Sequence, residues 1–350
     1  MSMSLADARY LFNRVLGLIH RSMASMRTRG WRATWQRIRV HTQTPHTLGT
    51  PLWVPQPAPL DAFTLPHSPA PHVTVVIPVY NHIAHTLACL RALAAHPPLV
   101  SVEIIVVDDG SGDATIDQLP QIAGLHYHRR ASNGGFIAAC NDGIALARGD
   151  FVVLLNNDTI PQPGWLDQLI DTFIQHPATG LVGAQLVYPD GRLQESGGVV
   201  FDDGSAWSYG RFESAIDPRY AYVRAMDYCS GAAIALPRTL LQTLGGLDRR
   251  YMPAYYEDTD LAFAVRAAGY LVLVQPASVV VHDEGTSNGT DTRAGVKAYQ
   301  VRNQGVFAEK WQQPLTAQLP VGTVPGPALL HRAQRQVLIL DESVPQPDRD

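Results

Sequence analysis

Apolar and polar positions in this chain fall into blocks. Short runs that are apolar at nearly every position occur at Val73–Val79, Glu103–Val107 and Phe151–Leu155. Such a run predicts a strand buried on both faces. Between the runs, apolar residues recur at three- and four-residue steps, which predicts helices over about 84–96, 136–147 and 164–175. Pro163 stands just ahead of the last of these, where a helix tolerates it. A short helix and a strand near 125–128 complete this part. Strand and helix alternate, so the fold class expected is α/β, with a parallel sheet and right-handed crossovers.

After residue 180 the pattern changes. Leu181–Val187, a Pro189-Asp190-Gly191 turn and Gly198–Phe201 predict antiparallel strands. Residues 203–228 are rich in aromatics, glycine and charge, and predict a loop over the site. A short helix is expected after Pro237, and a longer one over Glu257–Ala268 with Gly269 as its C-cap. Leu271–Val274 and Val279–Val281 predict two short strands, with His282 directly after them.

The ends of the chain read differently. Leu5, Ala8, Phe12, Val15, Leu16, Ile19 and Met23 share one helical face, with Arg14 and Arg21 nearly opposite. Residues 1–40 hold eight arginines and one acid, Asp7, a net of +7 within a chain of net −4. Residues 1–44 are therefore a basic amphipathic leader. It suits either an anionic membrane surface or packing on the domain or a neighbouring chain. Eight prolines between Pro45 and Pro71 make residues 45–72 an extended linker or wrapping arm. At the other end, Gln336–Asp341 reads as a buried strand followed by a polar loop. Residues 313–350 thus form a tail that could begin a further domain or dock on the first.

Composition excludes several classes. At 46% hydrophobic and 17% charged residues the chain can build a core. No apolar run approaches the ~20 residues that span a bilayer, and no signal peptide is recognisable. Cys89, Cys140 and Cys229 lie far apart, which fits a reducing compartment and no thiolate zinc site. The expected location is the cytoplasm, with the leader able to reach the inner face of the cytoplasmic membrane. The acidic body disfavours nucleic acid as a partner.

Candidate chemistry gathers at the C-terminal ends of the predicted strands, where such sheets bind ligands. Tyr80-Asn81, Asp108-Asp109 and Asn156-Asn157-Asp158 follow three successive buried runs. Each could be an ordinary turn. Together they are hard to explain by packing. Asp158 could hold a divalent cation through oxygen or cap the next helix. Tyr256-Glu257-Asp258-Thr259-Asp260 places three acids at a helix start, more than the helix dipole requires. An ionised aspartate there could accept a proton from a sugar hydroxyl. His282 at a strand end could be a metal ligand or structural. Ser132-Asn133-Gly134-Gly135-Phe136 opens a helix, and its N-terminus favours phosphate. The loop is not a GxGxxG fingerprint, which disfavours a nicotinamide-binding domain.

These residues carry a resemblance. Val75-Val76-Ile77-Pro78-Val79-Tyr80-Asn81, Val106-Val107-Asp108-Asp109-Gly110-Ser111, Asn133-Gly134-Gly135-Phe136 and Asn156-Asn157-Asp158 resemble, in order, the nucleotide-binding half of family 2 glycosyltransferases, which have the GT-A fold. Cys229-Ser230-Gly231-Ala232, Gly245-Gly246-Leu247-Asp248, Glu257-Asp258-Thr259-Asp260-Leu261, Arg266 and Gly269 resemble its acceptor half. The resemblance runs over 73–312 (73–180 nucleotide-binding, 181–312 acceptor side). It implies a mostly parallel central sheet with a small antiparallel acceptor-side portion. Pro78, Tyr80, Asn81, Asp108 and Asp109 would hold the nucleoside. Arg130, Asn133, Gly134, Asn141, Asn156 and Asn157 would line the ribose and diphosphate path. Asp158, the last position of the family's DxD motif, and His282 would ligate Mn²⁺ or Mg²⁺, with Asn156 replacing the first aspartate. Asp258 would be the general base. Ser230, Gly231, Ala232, Glu257 and Trp207 would face donor sugar and acceptor.

The resemblance implies an inverting, metal-dependent glycosyltransferase. It would move a sugar from dTDP-rhamnose or a UDP-sugar to a hydroxyl of a cell-surface glycan such as O-antigen, or of a lipid-linked acceptor. The QxxRW motif and membrane helices of processive members are missing, and Tyr299-Gln300-Val301-Arg302-Asn303 stands in that region. One sugar per encounter is expected. The alternatives are a catalytically inactive sugar-nucleotide-binding module of a multidomain assembly protein, and a nucleotidyltransferase. The second would need a basic glycine-rich loop after the first strand.

Overall fold

The computed structural model describes residues 51–56, 59–60, 63–283 and 299–326. The basic leader and Gln336–Asp341 lie outside the described residues. Twelve strands are described: β1 (Val73–Val79), β2 (Val102–Asp108), β3 (Leu125–Arg129), β4 (Phe151–Leu155), β5 (Thr159–Pro161), β6 (Thr179–Val187), β7 (Leu193–Glu195), β8 (Gly198–Val200), β9 (Ala206–Ser208), β10 (Arg224–Ala225), β11 (Ala233–Pro237) and β12 (Leu271–His282). The helices are α1 (Ile83–Ala95), α2 (Thr115–Gln118), α3 (Phe136–Leu146), α4 (Trp165–Gln175), α5 (Arg238–Thr243), α6 (Glu257–Ala267), α7 (Tyr299–Lys310) and α8 (Gln312–Leu315).

The central sheet runs β10-β12-β6-β11-β4-β1-β2-β3, with β5 on β12 and β7 on β6. Strands β4, β1, β2 and β3 are mutually parallel, as are β6 and β12. β11 enters antiparallel between β4 and β6. β8 and β9 form a separate antiparallel hairpin. This is the α/β, GT-A-type arrangement expected, a mostly parallel sheet with a small antiparallel part.

Alternation along the strands builds a core on each face. Val76, Ile105, Val107, Val152 and Leu154 pack with Ile137, Cys140 and Ile144 of α3. Val75, Ile77, Ile104, Val106 and Val153 pack on the other face with Leu90 of α1 and Leu169 of α4. Truncating one such side chain, for example Leu154→Ala, carries a typical cost of about 2–5 kcal/mol.

Three details differ from the sequence reading. β6 is antiparallel to β11 and β7 but parallel to β12. The two short strands expected after residue 270 are one strand, β12, whose register against β6 jumps between Gln275 and Val279. Pro276 sits in that jump, where its missing N–H breaks no ladder bond. The 203–228 segment is not a loop throughout: it contributes β9 and β10. β10 holds Arg224, buried among Tyr209, Tyr220 and Tyr222.

The proline-rich segment, where described, lies on the domain. Trp53 N–H donates to Gln162 Oε1 at 2.7 Å and Leu65 N–H to Ala123 O at 2.9 Å. Residues 313–326 also pack back, with Asp202 N–H donating to Leu319 O at 3.0 Å.

Candidate active site

The site is assembled along the C-terminal ends of β1, β2, β4 and β12. At the end of β1, Tyr80 is 51% exposed, an aromatic face open to a planar ligand. Pro78 is buried within β1 between β2 and β4, so its side chain is part of the core. Asn81 adopts positive φ, and its side-chain oxygen accepts Gly112 N–H at 2.8 Å, tying the ends of β1 and β2 together.

The two aspartates after β2 are engaged within the chain. Asp108 accepts from Ser111 N–H at 2.7 Å, Tyr127 OH at 2.5 Å and Arg129 Nη1 at 2.6 Å. Burial alone would raise its pKa, but these bonds outweigh it and hold the carboxyl below the usual range. Asp109 accepts from Arg130, and from Gly134 N–H at 2.9 Å and Gly135 N–H at 2.8 Å. Its carboxylate therefore holds the two glycine amides that lead into α3, whose first turn begins at Phe136. Arg130 also donates to Asp142 at 2.6 Å, and its guanidinium fills the space beside Gly134. Asn133 is exposed on this loop, with its side-chain oxygen accepting Gly135 N–H at 3.1 Å. Asn141 is likewise spent on structure, with both bonds of its amide made to the backbone of Leu247 at 2.8 Å.

The loop after β4 faces the end of β12. β5 pairs antiparallel with β12, and Thr159 lies opposite His282, which sets Asp158 beside that ring. His282 Nε2 is 3.3 Å from Asp158 Oδ1, and both side chains are nearly buried. His282 Nδ1 is 2.9 Å from Gln194 Oε1. An amide oxygen only accepts, so Nδ1 carries a proton, and Nε2 is the ring nitrogen that faces Asp158. Asn157 is buried and donates to Thr86 Oγ1 at 3.0 Å. Asn156 N–H donates to Ala232 O at 2.9 Å, while its side-chain oxygen is buried without a hydrogen-bond donor.

These groups fit a hard divalent cation. A carboxylate and an imidazole nitrogen face each other, and an orphaned amide oxygen lies on the same loop. Among the described residues no group of three or more His, Cys, Asp or Glu side chains is gathered for a metal. Asp158, His282 and Asn156 would supply only part of such a cation's shell.

Asp258 lies in the first turn of α6. Its Oδ2 accepts Gly231 N–H at 3.0 Å, and its Oδ1 accepts Thr259 N–H at 2.6 Å and the Thr259 hydroxyl at 3.1 Å. Burial nevertheless raises its pKa above the ordinary aspartate value. Glu257 is 7% exposed, and its Oε2 has no hydrogen-bond partner. Burial first, and then the charge of Asp258, push Glu257 up to about 8. Asp260, the third acid, points away from this group. It accepts from Tyr251 OH at 2.9 Å, Trp311 Nε1 at 2.7 Å and Lys310 Nζ at 2.7 Å, and so fastens α6 to α7.

Ser230, Gly231 and Ala232 form the seam between the halves. Ala232 O receives Asn156 N–H and Gly231 N–H reaches Asp258, so this turn links the loop bearing Asp158 to α6. Trp207 lies on the β8–β9 hairpin against Phe201, ring centroids 5.8 Å apart.

Three residues escaped the sequence reading. Gln194 orients His282. Glu195 accepts from Ser230 N–H at 2.7 Å and Ser208 Oγ at 2.9 Å. Asn303 donates from one amide nitrogen to Tyr251 O, Ala254 O and Tyr255 O at 2.7, 3.0 and 2.9 Å. It clamps the turn ahead of Glu257, where Tyr255 and Tyr256 both hold positive φ. The buried polar pair Gln194-Glu195 just after the Asp190-Gly191 turn was the one available signal for the first two.

Fold and site define a GT-A glycosyltransferase domain. Residues 74–235 match the model of the family described as Glycosyl transferase family 2, and the domain belongs to that family. An uncharacterized protein of Sinorhizobium fredii is 29% identical over 258 residues, covering 71% of this chain, which spans only 28% of that relative. An N-acetylglucosaminyl-diphospho-decaprenol L-rhamnosyltransferase of Mycobacterium tuberculosis is 27% identical over 279 residues, covering 70% of this chain and 87% of the relative. A solved structure of GalNAc-T7 with UDP, GalNAc and Mn²⁺ superposes with a TM-score of 0.58 at 16% identity, over 71% of this chain and 50% of that one. At that identity the likeness is one of fold. No helix among the described residues is long and apolar enough to cross a membrane.

Proposed function

We propose that this protein is an inverting, metal-dependent, non-processive glycosyltransferase. It takes a sugar from dTDP-rhamnose or a UDP-sugar and delivers it to a hydroxyl of a lipid-linked or cell-surface glycan. One observation carries the reading. Asp258 is a half-buried carboxylate at a helix start, fixed by Gly231 and Thr259, and one turn of chain joins it to the loop bearing Asp158.

In this reading the Asp258 carboxylate takes the proton of the acceptor hydroxyl. The hydroxyl oxygen bonds to the anomeric carbon from the face opposite the nucleotide, inverting it. The bond from that carbon to the diphosphate oxygen breaks, and the nucleoside diphosphate leaves with the electron pair. Burial raises the proton affinity of Asp258 above that of an ordinary aspartate, which favours its taking the acceptor proton. Asp158 and His282 would hold the divalent cation, with Gln194 fixing the histidine ring. A bound cation supplies charge neutralisation at the departing diphosphate. Tyr80 offers its face to the base, and Asn156 brings an unbonded oxygen to the donor side. Glu257 offers a buried acceptor to sugar hydroxyls, with Trp207 on the acceptor side. The rhamnosyltransferase of which the chain spans 87% supports a polyprenyl-diphosphate sugar as the acceptor class. The domain reading of 73–312 as the catalytic unit is part of this proposal, as is contact of residues 1–40 with a membrane bearing such an acceptor.

The test is a thermal-shift screen of dTDP-rhamnose, UDP-glucose, UDP-N-acetylglucosamine, UDP-galactose and GDP-mannose with Mn²⁺ or Mg²⁺, followed by turnover of the best donor. A dTDP- or UDP-sugar is expected to raise Tm by several degrees only with the cation, and EDTA to abolish turnover. Donor binding without any turnover would mark an inactive module and contradict the reading.

A further inference from the structure

β7 carries two consecutive buried polar side chains, and the reaction as derived uses only the first. Gln194 reaches His282. Glu195, 5% exposed, accepts Ser230 N–H through Oε1 at 2.7 Å and the Ser208 hydroxyl through Oε2 at 2.9 Å. The next amide along, Gly231 N–H, goes to Asp258 Oδ2 at 3.0 Å. Two successive amides of one turn thus end on two carboxyl groups, one from β7 and one from α6. Ser208 extends the chain of bonds to the β8–β9 hairpin, which carries Trp207.

We propose that Glu195 is a positioning residue for sugar transfer: it holds the Ser230–Gly231 turn against Asp258 and couples that turn to the acceptor-side hairpin through Ser208. The inference rests on the reading of Asp258 as the base. A base must be held closely to its proton, and a misplacement of about 1 Å can cost about a hundredfold in rate. Removing the Glu195 carboxyl takes the acceptor from two half-buried donors and frees one side of the turn that orients Asp258. Glutamine keeps the geometry, since its oxygen accepts Ser230 N–H and its nitrogen donates to Ser208 Oγ.

Charge adds a second role. Asp258, Tyr228 and Cys229 face Glu195, as does Arg211. Burial first, then Asp258, push the group up to about 7 against the pull of its hydrogen bonds and Arg211. As Glu195 ionises, its charge repels that of Asp258 and raises the proton affinity of the base.

The experiment compares the wild-type full chain with E195A and E195Q, using the donor selected in the screen above, Mn²⁺ and the acceptor. E195A is expected to lose about ten- to a hundredfold in kcat while donor Kd changes by less than about threefold. E195Q is expected to recover about tenfold of the loss, and to lack an inflection near pH 7 that the wild-type kcat profile shows. An E195A enzyme within about twofold of wild type, or an E195Q enzyme as slow as E195A, overturns the proposal. If E195A fails to fold, S208A, which cuts the link from Glu195 to the hairpin, takes its place: a loss of about tenfold in kcat with donor Kd within about threefold supports the proposal, and a kcat within about twofold of wild type overturns it. A wild type without turnover on every donor overturns the base reading and this inference together. An active wild type with an unimpaired E195A overturns this inference alone.

Discussion

Glu257 shows at the scale of one residue how the site is held at a cost. It is buried, its Oε2 is unbonded, and its pKa rises from 4.5 to about 8. Between those two values the folded chain binds a proton that the unfolded chain has released, so stability falls as pH rises through that window. Glu257→Gln removes the titration. Its Tm is expected to gain on wild type more at pH 8 than at pH 5, and an equal gain at both would reject the argument. Legibility at this scale followed locality. Asp158, Asp258 and His282 could be named because each follows a strand or starts a helix within a recognisable pattern. Glu195, Gln194 and Asn303 could not, because their partners lie 35, 88 and about 50 residues away. That Asp109 would hold the Gly134 and Gly135 amides was not legible, since those partners lie 25 and 26 residues away.

Among the elements, the 251–256 turn is the one most dependent on a distant support. Positive φ at two tyrosines costs of order 1–3 kcal/mol each. Asn303 on α7 offsets this by donating to the carbonyls of Tyr251, Ala254 and Tyr255, and Arg302 adds a bond to Met252 O at 2.8 Å. The sequence reading saw Tyr299–Asn303 only as the place where QxxRW is missing; here two of its residues shape the approach to Glu257 and Asp258. Asn303→Ala should destabilise the domain by about 1–3 kcal/mol in urea unfolding. Asn303→Asp should cost more, because a carboxylate would face those carbonyls. Equal midpoints for the two variants would contradict the clamp. The strands of the nucleotide-binding half were legible because burial on both faces leaves continuous apolar runs. β7, β9 and β10 were not, since two- or three-residue strands carry no period to read.

Across the whole molecule, the sheet serves to bring loops that are far apart in sequence to one edge. β4 and β11 lie side by side, so the turn before β11 meets the loop after β4. β6 lies between β11 and β12, and β7 hangs from β6, which brings Glu195 and Gln194 to the turn and to His282. A single bonded course therefore runs from Asp158 through His282, Gln194, Glu195, Ser230 and Gly231 to Asp258. This layout belongs to a family 2 glycosyltransferase domain, and the proposed division of labour puts the cation at one end and the base at the other. The most direct test is the kcat of Asp258→Asn alongside its donor Kd, measured with the donor from the screen and Mn²⁺. The account predicts a loss of at least about a hundredfold in kcat with donor Kd within about threefold of wild type. Near-wild-type turnover in Asp258→Asn would contradict it.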